Sequence, residues 1–199
     1  MENFNLTPEE SFSIINKAIA NFKLNYRETA KVFLLWGWVL AIASFSNFII
    51  LKILYSSEAF ESMGLLSLCN WAVFLLIGSI IMFFMERKLN KDKKVFSYIE
   101  SYFKNLWTVT VVSFITATFL CIKLEINPPP IMLLIAGMAT TTSGLLIKYR
   151  PFIIGGMAFF IFSLAATFVS NEYISLIVLG AIICGYLIPG YFLKSSKVL

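Results

Sequence analysis

Six long apolar stretches, separated by short polar loops, dominate the pattern of hydrophobic and polar positions along the chain. A helix that crosses the hydrocarbon region of a bilayer needs about 20 apolar residues, because each residue adds about 1.5 Å to its length. The pattern therefore predicts an all-α protein, a polytopic bundle of transmembrane helices. The predicted spans cover residues 32–51, 65–85, 106–122, 131–147, 152–169 and 174–193.

A different periodicity precedes the first span and predicts an amphipathic helix. Thr7, Pro8 and Glu10 stand in the order of a capping box with proline in the first helical turn. Apolar residues then recur at steps of three and four, as on one face of a helix: Phe12, Ile15, Ile19, Phe22 and Tyr26. We therefore divide the chain into an amphipathic cytoplasmic or interfacial helix over residues 1–31 and a six-helix transmembrane domain over residues 32–199.

The loop after the second span repeats this amphipathic pattern. A basic run over residues 87–94 is followed by apolar residues at helical spacing, namely Phe96, Ile99 and Phe103. We expect the third helix to begin early, near Val95, and its cytoplasmic end to pack on the N-terminal helix through Phe22 and Phe103 or their neighbours. Two alternatives stay open, because the N-terminal helix can also lie on the membrane surface or pair with another copy of the chain.

Composition and charge support a membrane protein and predict its orientation. Hydrophobic residues make up 59% of the chain and charged residues 14%, where a soluble domain carries about 25% charged residues. Of the 16 Lys and Arg residues, all but Lys52 and Lys123 fall on one side of the predicted spans. Positive residues are retained in the cytoplasm during insertion, so both termini are predicted to be cytoplasmic, most simply at a bacterial inner membrane.

The excess positive charge is therefore interpreted as a topology signal. Attraction of the basic loop to anionic lipid headgroups is its functional alternative. Nucleic-acid binding is not predicted, because basic residues interleaved with exposed aromatic residues on one soluble face are lacking.

The predicted spans contain almost no residues that carry chemistry. The chain has no His, and no Asp, Glu, Lys or Arg lies deep inside a predicted span, whereas pumps and ion-coupled carriers usually keep such residues in the membrane. An aspartyl pair, a Ser–His pair and an H-E-x-x-H motif are also missing from the sequence. We therefore predict that the protein is not an enzyme and uses no cofactor.

Three cysteines lie inside predicted spans and form no C-x-x-C pair, so neither a metal site nor a redox motif is predicted. They are interpreted as small apolar filler. A disulfide between Cys69 and Cys121, both near the outer face, is the sharper alternative.

The most polar stretch within a span lies near the cytoplasmic end of the fourth, and it consists of Thr140, Thr141, Thr142 and Ser143. Small and hydroxyl-bearing residues let two helices approach closely. The plainer interpretation is a close helical hairpin formed with Gly155 and Gly156 of the next span. The functional alternative is a polar niche at the inner leaflet, in which the four hydroxyl residues line the site. Lys148 and Arg150 then attract an anionic headgroup or a partner.

Proline marks two further positions. The sequence Asn-Pro-Pro-Pro at residues 127–130 predicts a stiff outer turn that ends one helix and begins the next. Pro189, which follows Gly185 in the last span, is expected to kink that helix toward its cytoplasmic end.

Four features of the chain also occur together in a known group of proteins. They are Glu10-Ser11 at the amphipathic start, Phe33–Gly37 in the first span, the hairpin Thr141–Pro151, and Pro189-Gly190 near the last helix end. With them the chain resembles an uncharacterised family of small bacterial six-span membrane proteins that have an amphipathic N-terminal helix. The resemblance covers most of the chain, and it implies the architecture but no activity or binding residue.

The sequence therefore predicts a scaffold or regulatory membrane protein that acts through helix packing and its basic cytoplasmic face. Its expected partners are the lipid bilayer, anionic lipids, and either another copy of the chain or a membrane or cytoplasmic protein. The alternative is a small carrier or channel subunit for an uncharged or amphipathic solute or lipid.

Overall fold

The computed structural model describes residues 8–58, 60–90 and 98–195; side chains are described from Thr29 onward, except beside the two gaps. Every element in these ranges is helical, so the all-α prediction is confirmed for them. The elements are α1 (Pro8–Ser56), a 3₁₀ turn (Phe60–Ser62), α2 (Met63–Asn90), α3 (Tyr98–Leu124), α4 (Pro128–Leu146), α5 (Arg150–Ala165), α6 (Ile174–Ile182), a π-helical turn (Ile183–Leu187) and α7 (Ile188–Ser195).

Five helical segments in the described chain are long and apolar enough to cross a membrane. They are Thr29–Ser56, Met63–Arg87, Ser101–Leu124, Pro128–Leu146 and Ile174–Ser195, the last of which joins α6, the π turn and α7. Helix α5 corresponds to the remaining predicted span, but it ends at Ala165 and has only 16 residues. It is therefore about 24 Å long, shorter than the roughly 30 Å hydrocarbon core of a bilayer.

Helix α1 is one unbroken helix of 49 residues. It contains residues 8–31 of the predicted amphipathic segment as well as the first predicted span, and the expected domain boundary at residue 31 falls inside it. No glycine or proline stands between Pro8 and Gly37, so the local sequence offers no residue that would end the helix. At about 1.5 Å per residue, α1 is about 74 Å long, far longer than a bilayer crossing requires.

The helices divide into a packed core and two peripheral members, α2 and α3. Helix α1 packs on α2 at one side and on α6, the π turn and α7 at the other, while α4 packs between α3 and α5. In the most apolar stretch of the α2 span only 6% of the residues are buried, compared with 44% in the span that contains α6 and α7. Helix α2 therefore presents most of its apolar surface outward, as a lipid-facing helix does.

Helices α4 and α5 form a close hairpin because glycines stand where they cross. A Cβ atom on Gly137 would lie 3.1 Å from the carbonyl oxygen of Gly156, and one on Gly144 would lie 2.7 Å from the backbone nitrogen of Ile153. The other side of α5 is equally tight, since a Cβ on Gly155 would lie 2.8 Å from the carbonyl oxygen of Gly185. Helix α5 is thus held between α4 and the π turn.

The turn between α4 and α5 is a Schellman motif. The N–H of Tyr149 donates to the carbonyl of Gly144 at 2.9 Å, and the N–H of Lys148 donates to the carbonyl of Leu145 at 3.2 Å. Lys148 has a φ of 52°, a left-handed conformation that glycine usually supplies at this position. Pro151 then stands in the first turn of α5, where its missing N–H is tolerated.

The disruption expected at Pro189 takes the form of a widened turn. Proline has no N–H, and its ring clashes with the carbonyl four residues earlier, which here belongs to Gly185. The π turn relieves both effects, because hydrogen bonds in it reach back five residues. The N–H of Ile188 accordingly donates to the carbonyl of Ile183.

Candidate functional site

The four hydroxyl residues of α4 point in different directions. Thr140 and Ser143 are both 0% exposed, whereas Thr142 is exposed and its hydroxyl donates to the carbonyl of Met138 at 2.8 Å. Thr141 faces α5, where its Oγ1 would meet a Cβ on Gly156. Successive residues of a helix are about 100° apart, so one helix cannot direct all four side chains to a single niche.

Lys148 and Arg150, unlike Thr140 and Ser143, are on the surface of the protein. Both are exposed, at the turn between α4 and α5 and at the first residue of α5. The structure therefore does not bring these cations and the buried hydroxyls of Thr140 and Ser143 onto one surface. An anionic group bound by Lys148 and Arg150 would contact the protein surface and not the core of the bundle.

A cluster of aromatic rings surrounds Phe33 of α1. The ring centroid of Phe33 lies 4.1 Å from that of Phe152, 5.7 Å from Tyr186, 5.8 Å from Trp107 and 6.1 Å from Phe103. These rings come from α3, α5 and the π turn, so Phe33 joins four segments of the chain. We call these five residues the aromatic cluster.

The predicted contact between the N-terminal helix and α3 falls within the described side chains only at Phe103. Helix α3 begins at Tyr98, ahead of the predicted span, and Val95 lies outside the described residues. Phe103 contacts Phe33 and Trp107, with ring centroids 6.1 and 6.4 Å apart. The side chains of the other residues assigned to this contact lie outside the described part of the chain: Phe12, Ile15, Ile19, Phe22, Phe96 and Ile99.

Tyr186 connects the aromatic cluster to α4. Its side chain hydrogen-bonds to that of Thr140, and the Thr140 hydroxyl donates to the carbonyl of Ala136 at 2.7 Å. The Tyr186 ring also lies 4.9 Å from that of Phe159 on α5. Because Tyr186 belongs to the π turn, the irregular turn of the last span lies directly beside the polar stretch of α4.

Three buried polar atoms have no hydrogen-bond partner among the described residues. They are Nε1 of Trp107, Oγ1 of Thr141 and Oγ of Ser143. An unpaired buried donor or acceptor costs about 1–3 kcal/mol, and such groups are uncommon in native proteins. The described part of the bundle therefore has unused hydrogen-bonding capacity around Tyr186 and Thr140.

A second polar group, which the sequence analysis missed, lies toward the other end of the bundle. Nδ2 of Asn47 donates to Oγ of Ser175 at 2.9 Å, and Oδ1 of Asn47 accepts from the hydroxyl of Ser67 at 2.8 Å. The hydroxyl of Ser44 donates to the carbonyl of Ser175 at 2.6 Å. These bonds join α1 to α2 and α6, and Asn47 is only 4% exposed.

A neighbouring set of bonds strengthens the contact between α1 and α2. Nδ2 of Asn70 donates to the carbonyl of Ala43 at 3.0 Å, and its Oδ1 accepts from the hydroxyl of Ser46 at 2.9 Å. Polar side chains in a membrane helix turn toward other helices, where they find partners. The signal in the sequence was therefore asparagine and serine within spans, and its role here is to hold the peripheral α2 against α1.

The cysteines and the acidic residues form no further site in the described part of the chain. Cys69, Cys121 and Cys184 are free thiols, so the alternative disulfide is not formed in this structure. Within the described ranges, no group of three or more His, Cys, Asp or Glu side chains is placed to hold a metal ion.

Comparison with known proteins adds no guide to the site. No family model matches the chain, and no curated protein or solved structure is similar to it. The resemblance to small bacterial six-span proteins therefore stays a prediction, and the function has to be argued from the residues described above.

Proposed function

We propose that this chain is a six-span protein of a bacterial inner membrane that acts as a scaffold or regulator, by binding a protein partner at its basic cytoplasmic face. The observation that carries the proposal is the continuity of α1. The candidate span begins at Thr29, yet the helix begins at Pro8. The part before the span is about 30 Å long, enough to extend well beyond the membrane surface.

The proposed six crossings include the short helix α5. Its two tight glycine contacts, Gly156 with α4 and Gly155 with the π turn, place protein on both of its sides. A short helix that is covered by neighbouring helices can cross where the bilayer thins locally, at a modest cost. An even number of crossings then agrees with the placement of almost all Lys and Arg residues on the cytoplasmic side.

The amphipathic sequence of residues 8–28 supports partner binding. A helix of about this length is only marginally stable alone in water, and covering an apolar face stabilises it. Here the first span continues the helix and so supplies its costly nucleus. The apolar positions found in the sequence can then be used for binding, and Lys17, Lys23 and Arg27 favour a partner with acidic residues beside its apolar surface.

Site-specific photocrosslinking in living cells tests this proposal. Benzoylphenylalanine in place of Ile19, on the apolar stripe, is expected to give a discrete protein adduct. The same probe in place of Lys17, two positions away and outside the stripe, is the matched control and is expected to give much less. If the probe gives no protein adduct at residues 12, 15, 19 and 22, partner binding by this helix is wrong.

A second candidate function, a carrier or channel subunit for an uncharged solute, is supported by a different observation. The last span contains a π turn beside the unpartnered hydroxyl groups of α4, and interrupted membrane helices form the substrate sites of many carriers. Purified protein in liposomes should then speed swelling in gradients of small neutral solutes such as glycerol. Swelling equal to that of protein-free liposomes contradicts this second candidate.

A further inference from the structure

Two of the unpartnered polar atoms belong to one neighbourhood inside the bundle. The ring of Trp107 lies 6.5 Å from that of Tyr186, measured between centroids. Tyr186 hydrogen-bonds to Thr140. Ser143 follows one turn later on the buried face of α4, and residues three apart on a helix are neighbours. Trp107 and Ser143 are therefore each close to the contact between Tyr186 and Thr140.

The register of α3 and α4 places the same two residues at similar depth. These helices pack together, are joined by the short turn after Leu124, and run in opposite directions. Trp107 lies about 26 Å along α3 from Leu124, and Ser143 lies about 22 Å along α4 from Pro128. The two side chains therefore differ in depth by about one helical turn or less.

The chemistry of the two groups defines what can bind to them. The Trp107 indole N–H can only donate, whereas the Ser143 hydroxyl can donate and accept. One oxygen atom can therefore accept from Trp107 and also bond to Ser143. The neighbouring rings of Phe33, Phe103 and Tyr186 carry no charge, and burying an unpaired ion among them would be costly. The site thus suits an uncharged oxygen.

We propose that Trp107 and Ser143 form one buried site that binds an uncharged oxygen atom. A water molecule can supply this oxygen, and so can the hydroxyl or carbonyl group of a small neutral solute. The site is separate from the exposed cations Lys148 and Arg150, so it does not select an anionic headgroup. It is also independent of the proposed partner contact on the N-terminal part of α1.

Nuclear magnetic resonance of the full chain in lipid nanodiscs tests the site. The protein carries ¹⁵N in its tryptophan side chains, and the variant Trp107→Phe identifies the Trp107 signal by its loss. We expect the Trp107 indole proton to give a cross-peak to the water resonance if water is bound. A cross-peak to a non-protein resonance, with a matching added mass in native mass spectrometry, identifies a neutral solute instead.

The variant Ser143→Ala tests whether the two residues share the oxygen. It is expected to shift the Trp107 signal and to weaken the cross-peak at least twofold. Thr142→Ala is the matched control, because the Thr142 hydroxyl is exposed and bonds to its own helix, and it should leave both unchanged.

Two results would overturn the proposal. The first is a wild-type protein without either cross-peak, which does not depend on Ser143→Ala and so decides the matter even if that variant folds poorly. If Ser143→Ala then still shifts the Trp107 signal, the two residues bond directly and no oxygen lies between them. The second is a Trp107 signal that is unchanged in a folded Ser143→Ala protein.

Discussion

The ring of Phe33 lies 4.1 Å from that of Phe152, measured between centroids at an interplanar angle of 44°. This contact joins the first helix of the chain to the fifth, and the same ring also contacts α3 and the π turn. Helix α1 begins at Pro8, well before its candidate membrane span, which begins at Thr29. Phe33 therefore connects the proposed partner-binding helix to the core of the bundle.

Removing the Phe33 ring should destabilise the bundle strongly. Phe33→Ala leaves a cavity among four aromatic rings, and such a truncation costs about 3–5 kcal/mol. Phe45 is the control, because it lies on the same helix but is half-exposed, and Phe45→Ala should cost less than about 1 kcal/mol. The measurement is thermal unfolding in detergent, monitored through the reaction of the Cys121 thiol with a thiol reagent, because this thiol is buried in the folded protein. Equal losses in the two variants would contradict the importance of the aromatic cluster.

The contact between α4 and α5 predicts a low tolerance for a methyl group at Gly156. A Cβ there would overlap Oγ1 of Thr141 and lie 2.5 Å from its backbone nitrogen, so the helices must separate. Gly156→Ala should therefore cost about 2 kcal/mol or more. A Cβ on Gly64 would have no other atom within 4 Å. Gly64→Ala is the control, and it is expected to be neutral or to stabilise α2 by up to about 1 kcal/mol. The unfolding midpoints of the two variants are measured in mixed micelles. Equal losses of stability in Gly156→Ala and Gly64→Ala would contradict the close crossing of α4 and α5.

Asn47 should contribute to stability although it lies far from the partner-binding surface proposed for the N-terminal part of α1. Asn47→Ala removes bonds to Ser67 and Ser175. Since a hydrogen bond between membrane helices contributes about 0.6 kcal/mol on average and up to about 1.7, we expect a loss of about 1–2 kcal/mol. Asn127→Ala, which breaks an exposed bond to Asn171, should cost less than about 0.5 kcal/mol. Titration with a denaturing detergent gives both values; a smaller loss for Asn47→Ala than for Asn127→Ala would refute the network.

The conformation of Lys148 predicts a stabilising substitution. A side chain in the left-handed region costs about 1 kcal/mol relative to glycine, so Lys148→Gly should raise the free energy of unfolding by about that amount. Lys148→Ala is the control for loss of charge, because alanine has the same backbone restriction, and it should change little. If both variants behave alike in thermal unfolding, the Schellman turn is not the source of the effect.

The sequence predicts the helices well and their ends less well. Long apolar runs require helices in a bilayer, and this explains the agreement between the predicted spans and the observed segments. Helix α5 shows the limit, because Phe168 and Val169 continue the apolar run after the helix has ended. The Thr167 hydroxyl donates to the carbonyl of Leu164 at 2.7 Å, a local bond that hydropathy does not reveal.

The candidate site could be predicted only where a single helix defines it. The periodicity of α4 already separates Thr142 from Thr140 and Ser143, since residues one or two positions apart point in different directions, whereas residues three apart share a face. The roles of Trp107 and Tyr186 depend on how four segments pack together. A tryptophan near a span end is usually interfacial, so its spacing alone gives no indication of a buried contact.

The distance between residues 17 and 45 of α1 shows whether the N-terminal segment and the first span form one continuous helix. Spin labels are attached to Lys17→Cys and Phe45→Cys in a protein whose three native cysteines are replaced. Pulsed electron paramagnetic resonance in lipid nanodiscs then measures the distance between the labels. An unbroken helix predicts a narrow distribution near about 42 Å between the labelled backbone positions. A distribution centred near about 30 Å, as expected if the segment before Thr29 turns to lie along the membrane, would contradict the continuous helix and the partner-binding surface proposed for it.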